Sequence, residues 1–188
     1  MKKSSMGIIC IVIVLIIVGI AMVSSYNGMV SKQEAVESSL SDLDVMLQRR
    51  ADLIPNLVST VKGYTSHETE IIDKITEARS NLVNAKSIEE KSKANSELSK
   101  SLDGLMVIVE NYPELKSSEN FQQLSDELAG TENRIAVARK DYNSAVKTFN
   151  TTIKKFPNNM LAGMFGFEKG TYFEADEQST EVPNVNFE

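Results

Sequence analysis

His67-Glu68 is the pair in this sequence that comes nearest to a known piece of chemistry. A histidine and glutamate on a helix open the zinc-hydrolase motif, in which a second histidine one turn on completes the metal face and the glutamate serves as base. That second position is Ile71, so the motif is absent. A di-iron bundle site needs Glu-x-x-His twice, and the chain has one histidine. A Cys/His zinc site needs about four ligands, and only Cys10 and His67 exist. His67 as a phosphorelay residue would need a kinase ATP-binding region, and none follows it. No Gly-rich phosphate loop or nucleophile elbow is present. The sequence therefore predicts no catalytic residue, no cofactor and no metal ligand. The charged residues Glu68, Arg79, Glu132, Arg134 and Arg139 stand at or beside core positions of helical patterns. Charges placed there cost several kcal/mol unless paired, so these five predict a structural or interaction network that fixes register.

Composition narrows the function classes further. The 188 residues carry 26 acidic and 20 basic side chains, a net charge of -6, which argues against a nucleic-acid partner. A single cysteine excludes a disulfide framework. The length suits one domain of ordinary size.

The elements that would position these residues begin with an anchor. From Met6 to Val23 every residue is Met, Gly, Ile, Cys, Val, Leu or Ala. As a helix this run covers about 27 Å, one bilayer core. A buried soluble helix would carry a polar stripe, and this run has none. Lys2 and Lys3 with the small residues Ala21, Ser24 and Ser25 also fit a cleaved signal peptide, but the apolar run exceeds the usual h-region and lacks a clean cleavage site. A lipoprotein would place Cys10 at the end of the run rather than inside it. The expectation is an uncleaved single-pass anchor in the cell membrane with the bilayer as partner. Lys2, Lys3 and the terminal amine against Lys32 lean the remainder of the chain to the extracytoplasmic side.

Beyond the anchor, apolar residues alternate at steps of three and four. Leu40, Leu43, Leu47, Ala51 and Ile54 form one stripe; Leu57, Val61, Tyr64, Ile71, Ile75, Ala78, Leu82 and Ala85 a second. Leu98, Leu102, Leu105, Val109 and Tyr112 form a third, and a long fourth runs from Phe121 through Leu128, Thr131, Ile135 and Tyr142 to Phe156. Such steps place a narrow seam on one helical face. With Pro55 and Pro113 as breakers and a Ser87/Glu90 capping box, four helices are expected near residues 26–53, 56–85, 88–111 and 117–156. A kink at Pro55 within one long helix is the rival, set aside because the Leu40–Ile54 stripe would then lack a partner. The fold class is all-α: an N-terminal transmembrane helix, then an antiparallel up-and-down four-helix bundle, then an irregular tail. The domains are 1–25, 26–157 and 158–188, with the extended tail packing on the bundle. The apolar stretch Met160–Phe167 is open to either the bundle or the membrane.

Several segments together resemble the LemA family of bacterial membrane proteins. They are Tyr26-Asn27, the run from Gln48 through Arg-Arg-Ala-Asp-Leu-Ile-Pro to Tyr64 with His67-Glu68, Glu110-Asn-Tyr-Pro-Glu-Leu115, Leu128-Ala-Gly-Thr-Glu-Asn-Arg-Ile-Ala-Val-Ala-Arg139, Tyr142-Asn143, Phe156-Pro157 and the Val185-x-Phe187 ending. The resemblance covers nearly the whole chain. It implies a single-pass protein with a four-helix body, a short N-terminus outside the cell, and no agreed activity or catalytic residue. The expected function is a membrane-tethered helical scaffold or interaction protein with protein partners of unknown identity. The alternatives are an envelope sensor holding a small ligand and an enzyme working through Glu68, His67 and Arg79.

The charge count and the resemblance disagree on topology, and one experiment decides between them. With Cys10 replaced by alanine and Ser179 by cysteine, a membrane-impermeant thiol reagent should label intact cells; labelling only after lysis would reverse the orientation.

Overall fold

The computed structural model describes residues 2–65 and 67–174. All regular structure among these residues is helical. The helices are α1 (Lys2–Lys62), α2 (Thr69–Asn84), α3 (Ile88–Val109), α4 (Pro113–Lys116), α5 (Glu119–Lys154) and α6 (Asn158–Phe165).

The main departure from expectation lies at Pro55, which sits inside α1 rather than between two helices. Leu43 and Val61 are thus on one helix and do not face each other across a turn. The physical reason is visible in the burial. Leu43, Leu47, Ala51, Ile54, Leu57 and Val61 are all buried, so one apolar face continues through the proline, while Pro55 itself points to solvent. Ending the helix there would have split that face. The chain leaves the helix at Gly63 instead, where the Gly63, Tyr64 and Thr65 amides donate to the carbonyls of Ser59, Thr60 and Val61.

The expected capping box is present. Ser87 Oγ accepts from the Glu90 amide, and the Glu90 carboxylate accepts from the Ser87 amide at 3.1 Å and the Lys86 amide at 2.7 Å. Those two amides hold the Glu90 carboxyl below the usual range.

The described chain divides into two compact units. In the first, residues up to Ser39 are joined by Asn143–Gly170. Met29, Phe149, Ile153, Leu161 and Ala162 form its core, with Val36 and Phe167 packed on it. Here the beginning of the expected irregular tail is a helix. α6 ends at Gly166, whose φ of 75° is a left-handed cap that glycine adopts without steric cost. The apolar portion of α1 also lies in this unit. Its most apolar window has a mean hydropathy of 3.2 and none of it is buried, so α1 is long and apolar enough to be a candidate membrane span.

The second unit comprises Leu40–Tyr142 with the residues from Thr171 onward. Ile75, Leu98, Leu105, Leu115 and Ile135 are buried in it beside the α1 stripe. The Tyr142 hydroxyl donates to the Thr171 carbonyl at 2.7 Å, Ser92 Oγ donates to the Glu174 carbonyl at 3.1 Å, and Phe173 is buried. The Val182–Phe187 ending lies outside the described residues.

A proline within an exposed helical stretch is about 3 kcal/mol worse than alanine. Pro55→Ala should therefore raise the stability of the folded chain, by about 1–2 kcal/mol after the gain in unfolded-state entropy is subtracted. Denaturant unfolding measures it; an unchanged midpoint would mean that another group already makes good the hydrogen bond the proline removes, and a lowered one that the helix ends at Pro55.

Candidate functional site

Arg50 occupies the centre of the second unit. Its position follows from sequence: Leu43, Leu47, Arg50, Ile54, Leu57 and Val61 continue the steps of three and four, with Arg50 on the buried face. Its side chain is 5% exposed, against 47% for its counter-ion Glu132. Arg50 Nη1 donates to Asn95 Oδ1 at 2.7 Å and Nη2 to Ser99 Oγ at 3.0 Å, both on α3. On α5, Glu132 Oε2 lies 2.7 Å from Nη1, off the line of its N–H bonds, so the contact is an ion pair rather than a directed hydrogen bond. Arg50 Nε is buried with no hydrogen-bond partner. Burial lowers the guanidinium pKa from its ordinary value, while Glu132 and then Asp103 act to raise it. One charge from α1 is thus held jointly by α3 and α5.

Arg79 has a different partner. A proline has no N–H, so in α1 the carbonyl four residues before Pro55 loses its intrahelical donor. That carbonyl belongs to Ala51, whose residue is buried. Arg79 Nε, from α2, donates to it at 2.8 Å. The guanidinium fills the hydrogen-bond vacancy that the proline creates.

The remaining residues singled out from sequence do not join these two into one network. Glu68, at the N-cap of α2, accepts from the Tyr112 hydroxyl at 2.8 Å. That hydrogen bond is the first cause of the raised Tyr112 pKa. Arg134 is exposed and lines an open polar groove with Arg49, Asp126 and Glu127. Arg139 is half-buried, and no ion pair joins it or Arg134 to another described residue. His67 is exposed. The sequence reading missed Arg50, Asn95, Ser99 and Tyr112. For Arg50 the signal was its place in the stripe. Asn95 likewise stands three residues before Leu98 in the α3 series, so both were legible as polar occupants of a seam.

Chemically, this arrangement is a set of polar groups engaged with one another across helices, with Arg50 Nε and Glu132 Oε2 left without a hydrogen bond. Glu68 accepts from the Tyr112 hydroxyl and Arg79 donates to the Ala51 carbonyl. Among the described residues, no group of three or more His, Cys, Asp or Glu is placed to hold a metal ion.

An all-helical chain with an exposed apolar N-terminal helix and a buried, multiply bonded arginine in its body defines a class of helical proteins with a candidate membrane span. The chain belongs to the LemA family, whose model matches residues 39–187. Among curated relatives it is 30% identical to magnetosome protein MamQ 2 of Paramagnetospirillum magneticum, over 79% of this chain and 64% of that protein. It is 29% identical to magnetosome protein MamQ of Magnetospirillum gryphiswaldense over the same shares. To protein LemA of Metamycoplasma hominis it is 27% identical, over 80% of this chain and 69% of that one. The match thus spans under two thirds of the length of the MamQ relatives.

Both polar locks make quantitative statements. Glu132→Ala leaves a buried cation short of its counter-charge and should destabilise the fold by about 1–3 kcal/mol, less than a fully buried pair because Glu132 is half-exposed. Arg79→Ala should lower stability by about 1–3 kcal/mol by orphaning a buried carbonyl. In a Pro55→Ala background the loss should shrink, because an amide at position 55 then serves the Ala51 carbonyl. A double-mutant cycle of unfolding free energies with no coupling would disprove the assignment.

Proposed function

We propose that this chain is a membrane-anchored helical scaffold. Met6–Val23 crosses the cell membrane once, and the body, on the extracytoplasmic side, presents helix surfaces to protein partners. In this reading the C-terminal portion of α1 with α2, α3 and α5 forms an antiparallel up-and-down four-helix bundle. The observation that carries the proposal is continuity: the exposed apolar segment and the stripe from Leu43 to Val61 belong to one unbroken helix. The candidate span and the first residues of the family domain lie on one helix. The polar groups support a structural purpose, since Arg50, Glu132, Glu68 and Arg79 are spent on interhelical contacts. Solvent-facing Val107 on α3 and Val137 on α5 are apolar positions free to meet a partner.

Two measurements test this. The full chain should stay with membranes through carbonate extraction, whereas a variant lacking residues 1–25 should be recovered in the soluble fraction with its helical signal intact. Photo-cross-linkers at Val107 and Val137 should give discrete protein adducts in cells, and His67→Ala should leave stability and those adducts unchanged. Absence of adducts, together with loss of the in-cell phenotype on His67→Ala in a folded protein, would favour the enzyme reading through His67, Glu68 and Arg79.

A further inference from the structure

We propose that α6 is a membrane-interface foot, with its exposed Met160 and Met164 and the preceding Phe156 set into the boundary of the bilayer beside the point where α1 emerges; this rests on the reading that Met6–Val23 spans the membrane. The two faces of this segment have different surroundings. Leu161 and Ala162 pack into the core with Met29 and Phe149. The opposite side exposes Phe156 at 80% and Met160 and Met164 at 65% each. Met160 and Met164 stand four residues apart on one face of α6, and the exposed Phe156 lies in the turn that precedes it. Large apolar side chains exposed to water at this density are unfavourable unless something covers them.

Position in the chain identifies what covers them. Ser25 Oγ donates to Asn158 Oδ1 at the start of α6, and the Tyr26 ring meets Phe165 and Phe167 edge-on at centroid distances of 4.9 and 5.7 Å. Ser25 is two residues beyond Val23, about 3 Å along the helix axis. α6 is therefore bonded to α1 at the level where the apolar run ends, two residues beyond the exposed Val23.

The charge pattern agrees. No residue from Phe156 to Phe167 is charged; Lys154 and Lys155 precede this stretch, and Glu168 and Lys169 follow it, so its flanks carry a net positive charge. Lysine stems reach along apolar surface and keep their ammonium groups among anionic headgroups. Tyr26 has the amphipathic ring typical of membrane boundaries, and methionine side chains adapt to an irregular acyl environment. α6 is too short to span, so it lies along the interface rather than across it.

The test uses the full chain in vesicles of phosphatidylcholine and phosphatidylglycerol, with one environment-sensitive fluorophore per protein. The label is placed on native Cys10, or, with Cys10 replaced by alanine, on Met164→Cys or Glu34→Cys. Met164 and Glu34 are both exposed, so neither substitution disturbs packing. Glu34 stands eleven residues beyond Val23 on the same helix, about 16 Å past the end of the apolar run. The labels at Cys10 and Met164 should lose most of their emission to a quencher carried on the lipid and little to aqueous iodide; the label at Glu34 should show the reverse. If Met164 behaves like Glu34 while Cys10 is quenched by lipid, the foot is refuted and the anchor stands. If Cys10 is also untouched by the lipid quencher, the anchor itself fails, and the foot with it. Protection of Met164 from both quenchers, with disulfide cross-linking between Met164→Cys copies, would assign the face to a second copy of the chain and overturn the proposal.

Discussion

A single backbone carbonyl, that of Ala51, shows how the helical body holds together. The apolar face from Leu43 to Val61 keeps α1 continuous, yet Pro55 removes the amide that would have served that carbonyl. Left alone in a buried setting, the oxygen would cost about 1–3 kcal/mol. Arg79 supplies the donor from α2. The proline is therefore tolerated because another helix completes its hydrogen-bond ladder, and in completing it α2 acquires a fixed register against α1.

Arg50 does for α3 and α5 what Arg79 does for α2. Removing a guanidinium from water is unfavourable, and burial acts against its charged form. Asn95, Ser99 and Glu132 offset this only from their own positions, so the charge is tolerated in one arrangement of the three helices. A buried cation that accepts one set of partners discriminates among arrangements, as polar residues at seam positions do in coiled coils. This accounts for the polar groups in the interior of the second unit.

In the first unit the organising interactions are aromatic and local. Phe167 meets both Tyr26 and Phe149 edge-on, and Tyr26 also meets Phe165. Asn150 then exchanges two hydrogen bonds of 2.9 Å with the Gly170 backbone, which ties the segment after α6 to α5. A Cβ at Gly170 would stand 3.5 Å from Val146, so the backbone approaches α5 closely there. These contacts account for Tyr26, Phe149 and Phe167, none of which belongs to a polar motif.

The helical class, the apolar N-terminal segment and the cap at Ser87 were legible in sequence because each depends on neighbours within one or two turns. A run without polar residues, steps of three and four, and a serine three residues before a glutamate are local patterns with local causes. The same patterns pointed to a break at Pro55, since proline is a breaker by local rules and only a donor 28 positions away could compensate for it. They treated Met160–Phe167 as irregular for a similar reason: this short helix gains its stability from packing Leu161 and Ala162 on Met29 and Phe149, not from its own periodicity. Arg50 was present in the stripe as a residue on the buried face, but its partners stand 45 to 82 positions further along the chain. Which polar groups meet was decided by tertiary structure, because a buried charge is satisfied by whatever the fold brings within 3 Å, and spacing along one helix carries no record of the helices beside it.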